Sequence, residues 1–302
     1  MKSLYRSLLR RAVSPRLLNR ANALSHLEDR LVELERRCAR LAELALQKQY
    51  PALGSGATET AEFAVYSQNG EDGLLLSILA ETGAPAKRFV EIGFENAREC
   101  NTAVLGFLLG WDGLMLDADG LGVESAKRLA ARLLEGKTNR VAIRRSLVTA
   151  ESINGLIEEE GFSGELDVLS IDVDGMDYWL WKALRTARPR VVVIEYNASL
   201  GSEEALTVPY NPRFECRRAH PSGFYHGASL AAMERLGLEL GYSLVAVESH
   251  GVNAFFVRED LRPAGVPARN ARELFRPHFE RSKATSQEAQ WAAIQHLPWL
   301  PV

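Results

Sequence analysis

Five short apolar segments recur between residues 88 and 195, and four of them close on an acid or a glycine. They are Arg88-Phe-Val-Glu-Ile-Gly93, Gly113-Leu-Met-Leu-Asp117-Ala-Asp119, Val141-Ala-Ile143, Leu166-Asp-Val-Leu-Ser-Ile-Asp172 and Arg190-Val-Val-Val-Ile-Glu195. Runs this short and this rich in branched residues read as strands buried on both faces. Helical apolar spacing fills the intervals at 101–109, 125–134, 152–160 and 178–186, with another such stretch at 74–79 ahead of the first strand. A helix at 228–240 and a strand pair at 243–248 and 253–257, joined through Ser249-His-Gly251, complete the pattern. Regular alternation of this kind predicts an α/β fold with an open, mostly parallel sheet and helices on both faces.

In such sheets the ligand binds outside the carboxyl ends of the strands. The residues at those ends share a chemical character: Glu91 and Gly93, Asp117 and Asp119, Asp172 with Asp174 and Asp177, and Glu195 with Asn197. Acidic side chains are therefore expected along one edge. Neither G-x-G-x-x-G after the first strand nor G-x-x-x-x-G-K-[ST] occurs, which argues against dinucleotides and nucleoside triphosphates. An acidic edge suits a cationic ligand carrying sugar hydroxyls, and S-adenosylmethionine is one. Asp117 lies 26 residues beyond Glu91, close to the spacing at which the acid ending a second Rossmann strand meets ribose hydroxyls.

Several blocks in this order resemble the FkbM-type S-adenosylmethionine-dependent methyltransferases: Tyr66-Ser-Gln-Asn-Gly-Glu-Asp-Gly-Leu74, Phe89-Val-Glu-Ile-Gly93, Glu99-Cys-Asn-Thr102, Gly110-Trp-Asp-Gly-Leu-Met-Leu-Asp-Ala-Asp119 and Leu169-Ser-Ile-Asp-Val-Asp-Gly175. The resemblance spans residues 63–260. It implies a class I methyltransferase (Rossmann-like) fold and methyl transfer to a hydroxyl of a glycan or small metabolite. It further implies cofactor contacts at Gln68, Asp72, Glu91, Gly93, Asp117 and Asp119. One departure stands out: the loop after the first strand reads Gly93-Phe-Glu-Asn-Ala97, with a single glycine and an added acid.

A methyltransferase also needs a base for the acceptor hydroxyl, within hydrogen-bond reach of it. Asp172, Asp174 and His226 are the catalytic candidates, His226 because it follows a long irregular stretch, 197–223, where a substrate lid would sit. Asn197 and Asn253 either orient acceptor hydroxyls or serve turn chemistry. Two other readings compete. Asp172-Val-Asp174 matches the D-x-D pattern of metal-dependent glycosyltransferases, and with Glu195 it could hold Mg²⁺ or Mn²⁺. A non-catalytic adaptor on a methyltransferase fold would account for the crowded first loop.

The charge balance separates the chain into parts. Residues 1–50 carry 11 Lys and Arg against 5 Asp and Glu, leaving 25 against 34 for the remainder and a net charge of −3. An acidic body excludes a general nucleic-acid binder. Segment 1–20 is basic and amphipathic, so that contact with anionic lipid competes with a targeting segment or a solvated leader. From Leu24 to Ala45, apolar residues fall at alternating steps of three and four, the seam of a coiled coil that would pair two copies or of a helix packed along its own globular domain. The expected organisation is a helical extension at 1–50, a linker at 51–62, the methyltransferase-like domain at 63–262 and a helical tail at 263–302. Three widely spaced cysteines form no disulfide or zinc pattern. No apolar run reaches the roughly 18–20 residues of a membrane span. Together these predict a cytoplasmic protein, with the inner membrane face as a site of peripheral contact.

Overall fold

The computed structural model describes residues 61–302, together with Cys38, Ala39 and Ala42, which are helical. The chain divides into two units, Met1–Ala45 and Leu46–Val302. The basic segment 1–20, nearly all of the heptad stretch and the linker up to residue 60 lie outside the described residues.

The second unit is built on a seven-stranded sheet. Strands β1 (Arg88–Ile92), β2 (Asp112–Asp117), β3 (Val141–Arg145), β4 (Gly164–Ile171) and β5 (Ala187–Glu195) are parallel. Two short strands outside this sheet, β6 (Leu206–Thr207) and β9 (Leu300–Pro301), pair with each other. Strands β7 (Tyr242–Val247) and β8 (Asn253–Arg258) form the expected antiparallel pair, and β8 alone runs against its sheet. The order is β3-β2-β1-β4-β5-β8-β7. The chain moves outward from β1 to β3, then returns to the other side of β1 to begin β4, so that the switch point lies between β1 and β4. This is a doubly wound, Rossmann-like sheet, with the reversed strand inserted near one edge.

Alternation along the strands divides the core between two layers. Val90, Ile92, Leu114, Leu116, Leu169, Ile171, Val192 and Ile194 point to one face. There they meet helices α4 (Ile153–Glu159), α5 (Asp177–Ala183) and α7 (Leu230–Leu240), through Ile153, Trp181 and Leu236 among others. The opposite face carries Phe89, whose ring approaches Gly106 of α2 (Ala103–Phe107) so closely that a Cβ there would come within 3.0 Å of it. It also carries Asn253, whose Nδ2 donates to Glu71 Oε1 of α1 (Glu71–Thr82) at 3.0 Å. Helices therefore cover both faces, as the strand pattern predicts.

One boundary differs from the sequence expectation in a way that matters for the site. Helix α3 (Gly120–Leu133) begins five residues before the predicted 125, because the Asp119 carboxylate caps it, accepting from Leu121 N at 3.2 Å and Gly122 N at 2.8 Å. The 263–302 segment is no loose tail. Its helices α8 (Ala271–Leu274), α9 (Phe279–Ser282) and α10 (Gln287–Ile294) follow a turn of helix α6 (Cys216–Ala219) in the 197–229 excursion. Ile294 is fully buried, and Ser199 Oγ donates to Gln290 Oε1 at 2.7 Å. Among the described residues no helix is long and apolar enough to cross a membrane.

The far edge of the sheet rests on one aromatic wedge. Phe256 of β8 lies 4.9 Å from the Trp181 ring and fills the space above Gly237, where an added Cβ would come within 2.9 Å of it. Phe256→Ala should cost about 3–5 kcal/mol by large-to-small truncation; equilibrium urea unfolding at constant slope measures it.

Candidate functional site

The carboxyl ends of β1, β2, β3, β4 and β5 open onto one cavity of about 820 Å³. Eight carboxylates and two arginines line it. The strand ends are brought this close by Gly93, which takes φ 81° and stands so near β4 that a Cβ on it would lie 1.6 Å from the Asp172 carbonyl oxygen. Only glycine fits there.

The loop after β1 carries the departure seen in the sequence. Glu95 and Ala97 both adopt left-handed backbone, with φ 52° and 61°, where a glycine-rich loop would do so without strain. Asp117 holds the loop in that form. Its Oδ2 accepts from Phe94 N at 2.9 Å and Glu95 N at 2.8 Å, while Oδ1 accepts from Asp119 N at 2.7 Å. Asp117 thus faces the cavity while also tying the ends of β1 and β2 together. Asp119 lines the cavity too, with its oxygens engaged in capping α3.

Gln68 lines the cavity and reaches Glu99, its Nε2 lying 3.5 Å from Oε2. Asp72 and Glu91 lie beneath the cavity and do not line it. Asp72 Oδ2 accepts from the backbone N–H groups of Val65, Tyr66 and Ser67 at 2.7, 2.8 and 3.0 Å, which folds that segment onto α1. Glu91 Oε1 accepts from Asn101 N at 3.1 Å and Ser170 Oγ at 3.3 Å. Burial drives both carboxyls upward, Asp72 to about 6 and Glu91 to about 7. Their direct roles are therefore structural.

At the end of β4 a tight turn, with Asp174 at φ 55°, projects Asp172 and Asp174 into the cavity. Behind the turn, the buried Asp177 accepts from Val173 N at 2.9 Å and Gly175 N at 3.0 Å. Asp172 converges with Asp177 and Glu195 and not with Asp174: ligand atoms of those three lie within 4.8 Å of one another. Burial, and then the neighbouring negative charges, push Asp172 and Glu195 well above the ordinary carboxylate range and Asp177 to about 7. An all-oxygen set of this kind suits a hard divalent cation. Both Asp177 oxygens already accept backbone hydrogens, so Asp172 and Glu195 are the residues freer to hold one.

His226 is placed differently from the sequence expectation. It is fully buried behind Glu195, does not line the cavity, and has its Nε2 lone pair occupied by Arg281 Nη1 at 3.0 Å. Burial, reinforced by Arg281, holds its pKa well below the usual value. Because a guanidinium can only donate, the neutral ring must carry its proton on Nδ1, which faces Glu195 Oε2 at 3.9 Å. His226 is thus correctly read as an orienting group and not as a base that meets the acceptor. Asn197 follows its turn-chemistry reading, with Oδ1 accepting from Ser199 N and Nδ2 donating to Phe224 and His226 carbonyls. Pro212, Phe214 and Glu215 of the 197–223 excursion line the cavity, as do Arg281 and His278 from beyond residue 263. These last two carried no sequence signal, since neither follows a strand.

No family model matches the chain, and no curated protein does. Solved structures are similar. An O-methyltransferase from Bacillus cereus in complex with S-adenosylhomocysteine is 17% identical, with 64% of this chain and 82% of that one covered and a TM-score of 0.40. Magnesium protoporphyrin IX methyltransferase from Synechocystis with S-adenosylhomocysteine bound is 14% identical, with 62% and 81% covered and a TM-score of 0.40. At these identities and TM-scores the likenesses assign no residue roles, which rest on the geometry alone.

Two outcomes follow from this geometry. Gly93→Ala should lower stability by at least the 1–3 kcal/mol of a non-glycine residue held in a sparsely populated backbone region, and more for the clash with Asp172; thermal unfolding reports it. Glu91, raised from 4.5 to about 7, keeps a proton in the folded state that the unfolded chain releases. Its contribution to stability is full below about 4.5 and lost as pH rises through about 7. Glu91→Gln removes that loss, so the variant's melting temperature relative to wild type should be more favourable at pH 8 than at pH 5.

Proposed function

We propose that this chain is an S-adenosylmethionine-dependent O-methyltransferase acting on a hydroxyl of a carbohydrate or a related hydroxylated metabolite. The observation that carries the reading is the acid-lined cavity at the β1/β4 switch point, with eight carboxylates against two arginines. Such a lining matches a ligand with a sulfonium, an ammonium and ribose hydroxyls and repels a pyrophosphate. When bound, the cofactor supplies a methyl group on an already activated sulfonium. The protein's task is then mostly to position the acceptor, worth several kcal/mol when the geometry is good.

Asp117 is the residue for the ribose. A carboxylate has about four lone-pair sites, and three backbone hydrogens occupy those of Asp117 only in part. Asp172 is the residue for the acceptor proton: burial and the Asp177 and Asp174 charges raise its pKa, which makes its ionised form a stronger base than an ordinary carboxylate. Asp174, exposed on the same turn, can hydrogen-bond an acceptor hydroxyl. Asp172 and Glu195 are also the pair that would hold a divalent cation, whose chemistry there is to acidify that hydroxyl. The N-terminal segments fit the same proposal as attachments, with residues 24–45 pairing two copies and residues 1–20 meeting anionic lipid at the cytoplasmic face.

Isothermal titration with S-adenosylhomocysteine should give micromolar affinity for the wild type. Asp117→Asn, which keeps the size and removes the charge, should weaken it at least about tenfold, or 1.4 kcal/mol. Absence of binding to the wild type overturns the reading.

A further inference from the structure

One group on the cavity wall has no role in holding a cationic cofactor. Arg281, on α9, is half-buried and lines the cavity. Its guanidinium makes one hydrogen bond among the described residues, from Nη1 to the neutral His226 ring at 3.0 Å. No described carboxylate oxygen comes within 4.0 Å of its nitrogens, even though Glu195 lies just across that imidazole, with Oε2 3.9 Å from His226 Nδ1. A guanidinium that faces a cavity without a direct ion pair keeps donors available to an anionic group of a ligand.

The surroundings hold the arginine in place without neutralising it. His226 is fully buried, accepts from Nη1, and leaves Nη2 and Nε without partners among the described residues. A planar fork with two donors free is the geometry that grips a carboxylate bidentately. His278, one turn earlier, adds a second donor. Its Nδ1 accepts from Arg281 N at 3.4 Å, which leaves the proton of the neutral ring on Nε2, and His278 also lines the cavity. Burial and Arg281 hold His278 at about 4, so the ring is neutral at physiological pH.

We infer that Arg281, oriented by His226 and assisted by His278, binds a carboxylate on the acceptor, so that the acceptor is an acidic sugar of the uronate type. This inference rests on the methyltransferase reading, which supplies the sugar hydroxyl that Asp172 would deprotonate. Among anions a singly charged one meets the least repulsion here, because Asp172, Asp174, Glu195 and Glu215 line the same cavity and a phosphate dianion would roughly double their repulsion. With the carboxylate on Arg281, the body of the sugar extends toward the Asp172 and Glu195 side of the cavity.

The test compares D-glucuronate with D-glucose by titration calorimetry on the full chain, with and without saturating S-adenosylhomocysteine. The expected result is that glucuronate binds at least tenfold more tightly than glucose. Arg281→Gln should abolish that preference, and Arg281→Lys, which keeps the charge and loses the fork, should reduce it severalfold. The Lys variant decides the matter if the Gln variant does not fold. Equal binding of the two sugars, binding of neither, or a preference unchanged in the folded variants overturns the inference. If S-adenosylhomocysteine binds and glucuronate does not, the inference fails while the methyltransferase reading stands. If glucuronate binds through Arg281 and S-adenosylhomocysteine does not bind, the carboxylate site stands while the methyltransferase reading, and with it the assignment of that ligand as a methyl acceptor, fails.

Discussion

The approach of Gly93 to the Asp172 carbonyl is the contact on which the rest of the site depends. It closes the ends of β1 and β4 to a distance that admits no side chain between them, and Asp172 N donates to Ile92 O at 2.9 Å across the same gap. The switch point of the sheet is therefore both narrow and rigid. Every strand end that lines the cavity takes its position from that junction: β2 through the Asp117 bonds to the loop after β1, and β5 through its register with β4.

Crowding so many carboxylates at one edge is electrostatically unfavourable, and the structure handles it in two ways. Asp72, Asp117, Asp119 and Asp177 accept backbone N–H groups, which makes them ties between segments. Burial favours the protonated form of Asp172, Glu195 and Glu91, and of Asp72 and Asp177 as well. A cation entering this site would favour the ionised forms of Asp172 and Glu195. Arg281, one of two arginines on that wall, lines the cavity together with Asp172 and Glu195.

Much of the fold was legible because strand burial and helical spacing are local patterns. The five apolar runs, the closing hairpin and the acidic strand ends appear where the periodicity placed them. The site was legible only in part. Asp117, Asp172 and Asp174 lie at the cavity because each ends a strand or follows one within three residues. Asp72 was matched by motif, yet its carboxylate faces inward to three backbone hydrogens. Asp119 became a helix cap because α3 starts earlier than its apolar spacing suggests. His226 looked like a base on its position after an irregular stretch, and nothing in the sequence announced that a guanidinium from 55 residues further on would occupy its lone pair.

The sequence by itself determined the sheet, its two-sided burial and the acidic character of its carboxyl edge, because these follow from residue periodicity and from where each strand stops. Tertiary structure alone decided which acids reach the cavity, which become anchors for backbone hydrogens, and that Arg281 and His278 complete the wall. Those outcomes depend on how the 197–229 excursion and the segment after residue 263 fold back over the strand ends. The governing contacts join residues far apart in the chain, through burial and hydrogen bonding that no local pattern encodes.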